Sequence, residues 1–209
     1  HTIGLLTQVL DKSGSIIDET VNEIPLSISQ LYTTNEKEKS NGGTRISNTA
    51  EIEEIHFDDE GNSTFIINYG FNNDEGYLYE TSFIIMQLNK KNEVNWVKSL
   101  PKALRYNNNT YKTFWNENNF ELFFIGDPKC NDLTPSDKSP GIGEKYISSY
   151  TVDNATGEAV RTTYFNSEKI GKIGLYQYSP FNFSQISEHE FYFKCYKKGK
   201  EDIFVKFGY

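Results

Sequence analysis

The fold is decided by the stretch 52–69, which reads Ile-Glu-Glu-Ile-His-Phe at 52–57, Asp-Asp-Glu-Gly-Asn at 58–62 and Ser-Thr-Phe-Ile-Ile-Asn-Tyr at 63–69. Its first and last segments are rich in β-branched and aromatic residues, which favour strands. The middle segment contains Asp, Gly and Asn, which accept the left-handed backbone that tight hairpin turns require. The stretch therefore predicts two antiparallel strands joined by a tight turn.

Hairpins of this kind recur along the chain. Strands that end in Leu or Val lead into turns at 11–14, 89–92 and 153–157, and further turns fall at 116–119 and 187–189. Hairpins follow one another in pairs, so a repeating unit reads as four antiparallel strands in series. We predict an all-β fold, a propeller-like stack of four-stranded antiparallel sheets, with a β-sandwich of two sheets as the alternative.

The organisation of the chain is predicted as one domain over residues 1–209, since all-β folds of this length commonly form a single folding unit. The first predicted unit begins with its second hairpin, which indicates that an N-terminal portion of the domain is missing. The repeat is longer than the roughly 40 to 50 residues of a propeller blade. Inserted loops at 33–48 and 128–144 would account for the excess.

Charge and hydropathy exclude several classes of partner. The formal net charge is −8, from 21 Lys and Arg against 29 Asp and Glu, and no basic stripe occurs that would bind nucleic acid. No apolar run approaches the roughly 18 residues of a membrane helix, so the chain is not expected to span a bilayer. The chain opens at His1 without a Met or a leader, which indicates a processed product or a piece of a longer protein.

The cysteines and histidines give no metal or cofactor motif. Cys130 and Cys195 lie far apart in the sequence, and whether they pair is left open. The three histidines are scattered, so the ligand spacing of a zinc site is absent. We expect no cofactor.

The loop 128–144 holds the candidate binding residues. Asp127, Asp132 and Asp137 are weak metal candidates, because clustered oxygen ligands can hold calcium although the usual spacing is missing. Long structureless loops in compact domains are often functional, and prolines limit the entropy lost on binding. The candidate partner contacts are Pro128, Lys129, Asn131, Asp132, Asp137 and Lys138.

No catalytic motif occurs in the sequence. Asp58, Asp59 and Glu60 could serve a glycosidase, but their place beside Gly61 favours a turn. Trp96 and Trp115 could stack on sugar rings, but aromatic residues of strands more often fill a core. We therefore predict a non-catalytic binding or scaffold domain with a protein or glycan partner, and the alternative is a carbohydrate-binding or carbohydrate-active enzyme domain.

The stretch SFIIMQLNKKNEVNWVKSLPK at 82–102 resembles secreted β-repeat proteins of Bacteroidota. Those proteins carry a strand, a short turn, a Trp and a Leu/Ile-Pro-Lys, followed by a strand like ELFFIGD at 121–127. The resemblance covers roughly residues 50–209, and it departs at Ala103 and Leu104, where such proteins tend to have a polar residue. It implies a propeller-like fold and a secreted, periplasmic or cell-surface location, and it implies no activity.

Overall fold

The computed structural model describes residues 4–25, 28, 47–72, 78–105, 111–126, 146–166, 169–170, 173–176, 182–187, 189–197 and 201–208. Fifteen β-strands run through these residues. Their bounds are β1 Gly4–Leu10, β2 Ile16–Glu23, β3 Ser47–Phe57, β4 Ser63–Asn72, β5 Leu78–Leu88, β6 Val94–Arg105, β7 Tyr111–Trp115, β8 Asn119–Gly126, β9 Tyr146–Asp153, β10 Ala159–Asn166, β11 Lys169–Ile170, β12 Ile173–Tyr176, β13 Phe183–Ser187, β14 Glu190–Lys197 and β15 Glu201–Gly208.

The strands form four antiparallel sheets, which confirms the predicted all-β class. Two sheets have four strands in chain order, β3-β4-β5-β6 and β7-β8-β9-β10, as expected for pairs of successive hairpins. In the part of the chain that the structure describes, the first sheet contains β1 and β2. The last has five strands, in the order β11-β12-β14-β13 with β15 also paired to β14.

Four hairpins have turns with the same side-chain hydrogen bond. These turns begin at Asp11, Asp58, Asn89 and Asp153. In each turn a side-chain oxygen of that residue accepts a hydrogen bond of 2.7–3.0 Å from the backbone N–H two positions further on. Each turn then needs one residue with a left-handed backbone, which Gly and Asn supply. These residues are Gly14 (φ 85°), Gly61 (φ 86°), Asn92 (φ 62°) and Gly157 (φ 69°). The turns predicted at 11–14, 89–92 and 153–157 are confirmed as links between antiparallel strands.

The chain divides into two compact units, and in the described residues the boundary falls within β6, between Pro101 and Lys102. In the first unit, the β1–β2 sheet packs one face against the β3–β6 sheet. Their shared core contains Leu5, Ile24, Ile67, Tyr69, Ile84, Met86 and Leu88. Trp96 in β6 is also buried, as predicted from its place in an alternating strand.

In the second unit, the β7–β10 sheet packs against the sheet that contains β13, β14 and β15. Phe123 lies fully buried among aromatic rings from both sheets. Cys195 belongs to the same core and is a free, buried thiol, while Cys130 lies outside the described residues. The core contains Phe123, Ile125, Ile147, Phe183, Phe191, Phe193 and Cys195.

Candidate functional site

The loop residues proposed from sequence as ligands or contacts lie outside the described residues. These are Asp127, Pro128, Lys129, Asn131, Asp132, Asp137 and Lys138. Within the residues that the structure does describe, no group of three or more His, Cys, Asp or Glu side chains could hold a metal ion.

The acids at the hairpin ends support the backbone. Asp58 accepts hydrogen bonds from the backbone N–H of Glu60 and of Asn62, which confirms the interpretation of 58–62 as a turn. Burial disfavours its charge, but the hydrogen bonds from Asn62 and Glu60 outweigh this and lower the pKa of Asp58. Hydrogen bonds within their own turns likewise lower the pKa of Asp11 and of Asp153. These three carboxylates are therefore ionised supports of their turns.

A polar pair lies in the interior of the second unit. The Thr151 hydroxyl donates a 2.6 Å hydrogen bond to the buried carboxylate of Glu121 on the neighbouring strand. The hydroxyl groups of Tyr164 and Ser149 lie 3.0 Å apart on the next pair of strands. Burial, together with the nearby charge of Glu121, raises the pKa of Tyr164 to about 12. The hydrogen bond to Ser149 lowers this pKa, but its effect is smaller. These groups cross-link strands at a buried layer and do not line an exposed cleft.

Trp115 is the aromatic candidate nearest to the surface. Its ring is half-buried at the end of β7 and packs against Phe120, with 4.3 Å between ring centroids and an angle of 34° between the ring planes. The adjoining 116–119 turn contains three Asn residues, and Asn154 donates a hydrogen bond to the carbonyl of Asn116 in that turn. Trp115 therefore combines a supported ring with neighbouring amide groups, whereas Trp96 is enclosed in its unit.

The uncovered side of the β1–β2 sheet carries a row of aliphatic side chains, which we call the first outer face. Leu6 lies opposite Val21, and they are 60% and 65% exposed. Between the aliphatic residues, Gln8 donates a 2.7 Å hydrogen bond to Glu19. The first outer face comprises Leu6, Gln8, Leu10, Ile17, Glu19 and Val21.

The first outer face was missed from sequence although a signal was present. Apolar residues stand next to each other at Leu5-Leu6, Val9-Leu10 and Ile16-Ile17, and neighbours along a strand point to opposite sides. Strands that are apolar on both sides are typical of sheets covered on both faces. In this sheet the structure buries Leu5 and leaves Leu6 exposed, and at the far end, beyond a register shift at Val9 and Leu10, the apolar side chains of both sides are exposed.

The last sheet also has one open side, which we call the last outer face. Tyr192 and Phe204 lie on it, 39% and 66% exposed, while Phe191 and Phe193 point into the core. Two exposed ion pairs of 2.7 Å cross the same face between β14 and β15. The last outer face comprises Glu190, Tyr192, Lys194, Asp202, Phe204 and Lys206.

Among the residues that the structure describes, no helix has the length and apolar character needed to cross a membrane. No protein family model, curated protein or solved structure matches this chain.

Proposed function

We propose that this chain is a non-catalytic binding or scaffold domain of a secreted or cell-surface protein, and that it binds a protein partner. The first outer face is the observation that carries the proposal. Apolar residues exposed one by one are common on soluble proteins, whereas a contiguous exposed apolar patch commonly marks an interaction site. Leu6 and Val21 are neighbours on paired strands, so their exposed side chains form one patch.

The use of the acids supports the non-catalytic part of the proposal. General acid and base catalysis needs carboxyl groups whose pKa lies near the working pH. Asp11, Asp58 and Asp153 have a lowered pKa and accept hydrogen bonds within their own turns. Glu121 is bonded to Thr151 inside the core of the second unit. All four acids thus support the fold.

Capture experiments test the proposal with four forms of the immobilised full chain. They are the parent, Leu6→Lys with Val21→Lys, the control Val160→Lys, and a chain with 129–143 replaced by a Gly-Ser linker. Val160 is 68% exposed and lies outside both outer faces, so its variant places a lysine on an exposed strand without touching the patch. We expect a discrete protein from the cell envelope of the source organism to be lost with the double variant or with the loop replacement, and kept by Val160→Lys. Identical captured sets from all four would overturn the proposal.

Carbohydrate binding is the second candidate function, and Trp115 favours it. A tryptophan ring held on Phe120 and flanked by amide side chains can stack on a sugar ring while the amides bind its hydroxyl groups. In a Trp96→Phe chain, Trp115 is the only tryptophan, and its fluorescence would shift on titration with an oligosaccharide that binds there. No shift across a panel of plant and bacterial oligosaccharides would remove this candidate.

A further inference from the structure

We propose that the edge of β1 that points away from β2 is a strand-addition site, where a β-hairpin of a partner protein pairs with β1 and covers an apolar row on β3. The row comprises Ile52, Ile55 and Phe57. The site lies within the first unit and apart from the first outer face, so the inference goes beyond the proposed function. It is drawn from the number of strands in the first sheet, the charges of those strands and the exposure of β3.

The β1–β2 sheet is half the size of the sheet that it packs against. In the described part of the chain β1 pairs with β2 alone, whereas the neighbouring sheet has four strands. The β1–β2 and β5–β6 hairpins have the same kind of turn, which begins at Asp11 in one and at Asn89 in the other. β5 also pairs with β4 through its other edge. β1 thus corresponds to β5 in a sheet without counterparts of β3 and β4.

The charges of the strands indicate that β1 is built as an inner strand. The outer strands β3 and β6 contain three Asp, Glu, Lys or Arg residues each, and the inner strands β4 and β5 contain one between them. Charged side chains on an outer strand hinder the pairing of further strands. β2 carries three acids, as an outer strand does, but β1 carries no charged residue. The edge of β1 therefore lacks the protection of an outer strand.

A contact between the two sheets shows which way this edge of β1 points. The Asn22 side chain in β2 donates a 2.8 Å hydrogen bond to the carbonyl of Asn92, in the turn between β5 and β6. β2 therefore lies on the β5–β6 side of the neighbouring sheet. Because stacked sheets keep their strands roughly aligned, β1 lies toward β4, and its outer edge points toward the side of β3.

β3 carries its apolar row on the core side of its sheet. Ile52 and Ile55 lie opposite Ile67 and Phe65, which belong to or pack against the core of the first unit. Directly opposite residues of paired strands share a side of the sheet. Yet Ile52, Ile55 and Phe57 are 48%, 46% and 70% exposed. The core side is thus covered over β4 and β5 and open over β3, where two strands added beside β1 would cover it.

The chemistry of the site defines its occupant as a β-hairpin with an uncharged inner strand and apolar residues at alternate positions. The backbone of that strand would bond to β1, and its alternate side chains would bury the row on β3, as in strand addition to a sheet edge. The stretch 33–46 of this chain does not have this pattern, since five of its residues are charged and Ile46 is its one aliphatic residue. A partner protein is therefore the source of the hairpin.

The test uses hydrogen exchange of the full chain with a synthetic peptide of residues 47–72, whose β4 sequence is uncharged and pairs with β5 in this unit. At ten times its dissociation constant, the peptide should slow exchange of the β1 amides that point away from β2 by about tenfold. A peptide of the same residues in scrambled order should leave exchange unchanged. In a second form of the test, residues 47–77 or their scrambled order are copied directly before Gly4, so that pairing does not depend on the solubility of a peptide.

Two variants of the full chain locate the site. Ile55→Lys with Phe57→Lys removes the apolar row and should weaken peptide binding by about tenfold or more, because two apolar side chains no longer become buried. Val21→Lys is the control, since it changes an exposed aliphatic side chain of β2 away from the edge of β1, and it should bind like the parent. Circular dichroism and thermal unfolding establish that each variant is folded.

Equal exchange of β1 with the native and the scrambled sequence, in both forms of the test, would overturn the inference. So would slowed exchange at a different strand, or unchanged binding by the β3 variant. The capture experiment for the proposed function instead changes Leu6 and Val21, on the other side of the β1–β2 sheet from its core. Either proposal can therefore fail while the other stands.

Discussion

Replacing Phe123 with alanine removes the ring at the centre of the second unit's core. The ring lies 4.6 Å from that of Phe191 and 5.4 Å from that of Phe183, between centroids, and its side chain is fully buried. A buried Phe removes about 200 Å² from water, which at about 25 cal/mol per Å² gives an upper estimate of about 5 kcal/mol. We expect Phe123→Ala to lower the free energy of unfolding by about 3–5 kcal/mol, the usual range for such cavities.

The two tryptophans provide the assay, because Trp96 lies in the first unit and Trp115 in the second. In a Trp96→Phe background, urea denaturation followed by fluorescence reports the unit that contains Phe123. Phe204→Ala is the matched control, since this ring is 66% exposed in the same unit, and it should change the free energy by no more than about 0.5 kcal/mol. A loss below about 1 kcal/mol for Phe123→Ala would refute the assignment of Phe123 to the centre of this core.

Four further predictions concern buried rings, turns and titrating groups. Trp96→Ala should cost about 3–5 kcal/mol in chemical denaturation followed by circular dichroism, and an unchanged midpoint would mean that the indole is exposed. Asn92→Gly should raise the melting temperature and Gly14→Ala lower it, each by the equivalent of about 1 kcal/mol, because both positions have a left-handed backbone; the opposite order would contradict the turn geometry. Since the folded pKa of Asp58 is lowered, its stabilisation is present above the unfolded pKa of about 3.9 and is lost as pH falls, so Asp58→Asn should reduce the acid loss of stability between about pH 4 and 2. The pKa of Tyr164 is raised to about 12, so its stabilisation is lost as pH rises above about 10, and Tyr164→Phe should flatten stability curves measured there.

The hairpins were predictable from sequence because their signals are local. The predicted turn at 153–157 follows β9, Tyr146–Asp153, and the predicted turn at 116–119 follows β7, Tyr111–Trp115. In each of the four similar turns, one Asp or Asn fixes the start and one residue with a left-handed backbone fixes the end. These requirements act within five or six residues, so they are visible in the sequence.

Features set by distant neighbours were not predictable in this way. β6 continues through Pro101 to Arg105, although a proline ordinarily interrupts a strand. A proline lacks the N–H that a central strand needs, but β6 is the outer strand of its sheet and tolerates one. The short strands β11 and β12 carry too few residues to show alternation, and their pairing places a fifth strand in the last sheet.

The outer faces of the sheets also depend on both local and distant residues. The turn acids lie at the hairpin ends, and the faces between those ends carry exposed apolar side chains such as Leu6 and Phe204 beside polar and charged pairs. Alternation along a strand tells which residues share a face, but it cannot tell whether another sheet covers that face. The uncovered faces therefore emerge only from the structure. Because apolar faces bind by burial, the recognition proposed for this chain depends on what covers the first outer face, and variants at Leu6 and Val21 test it directly.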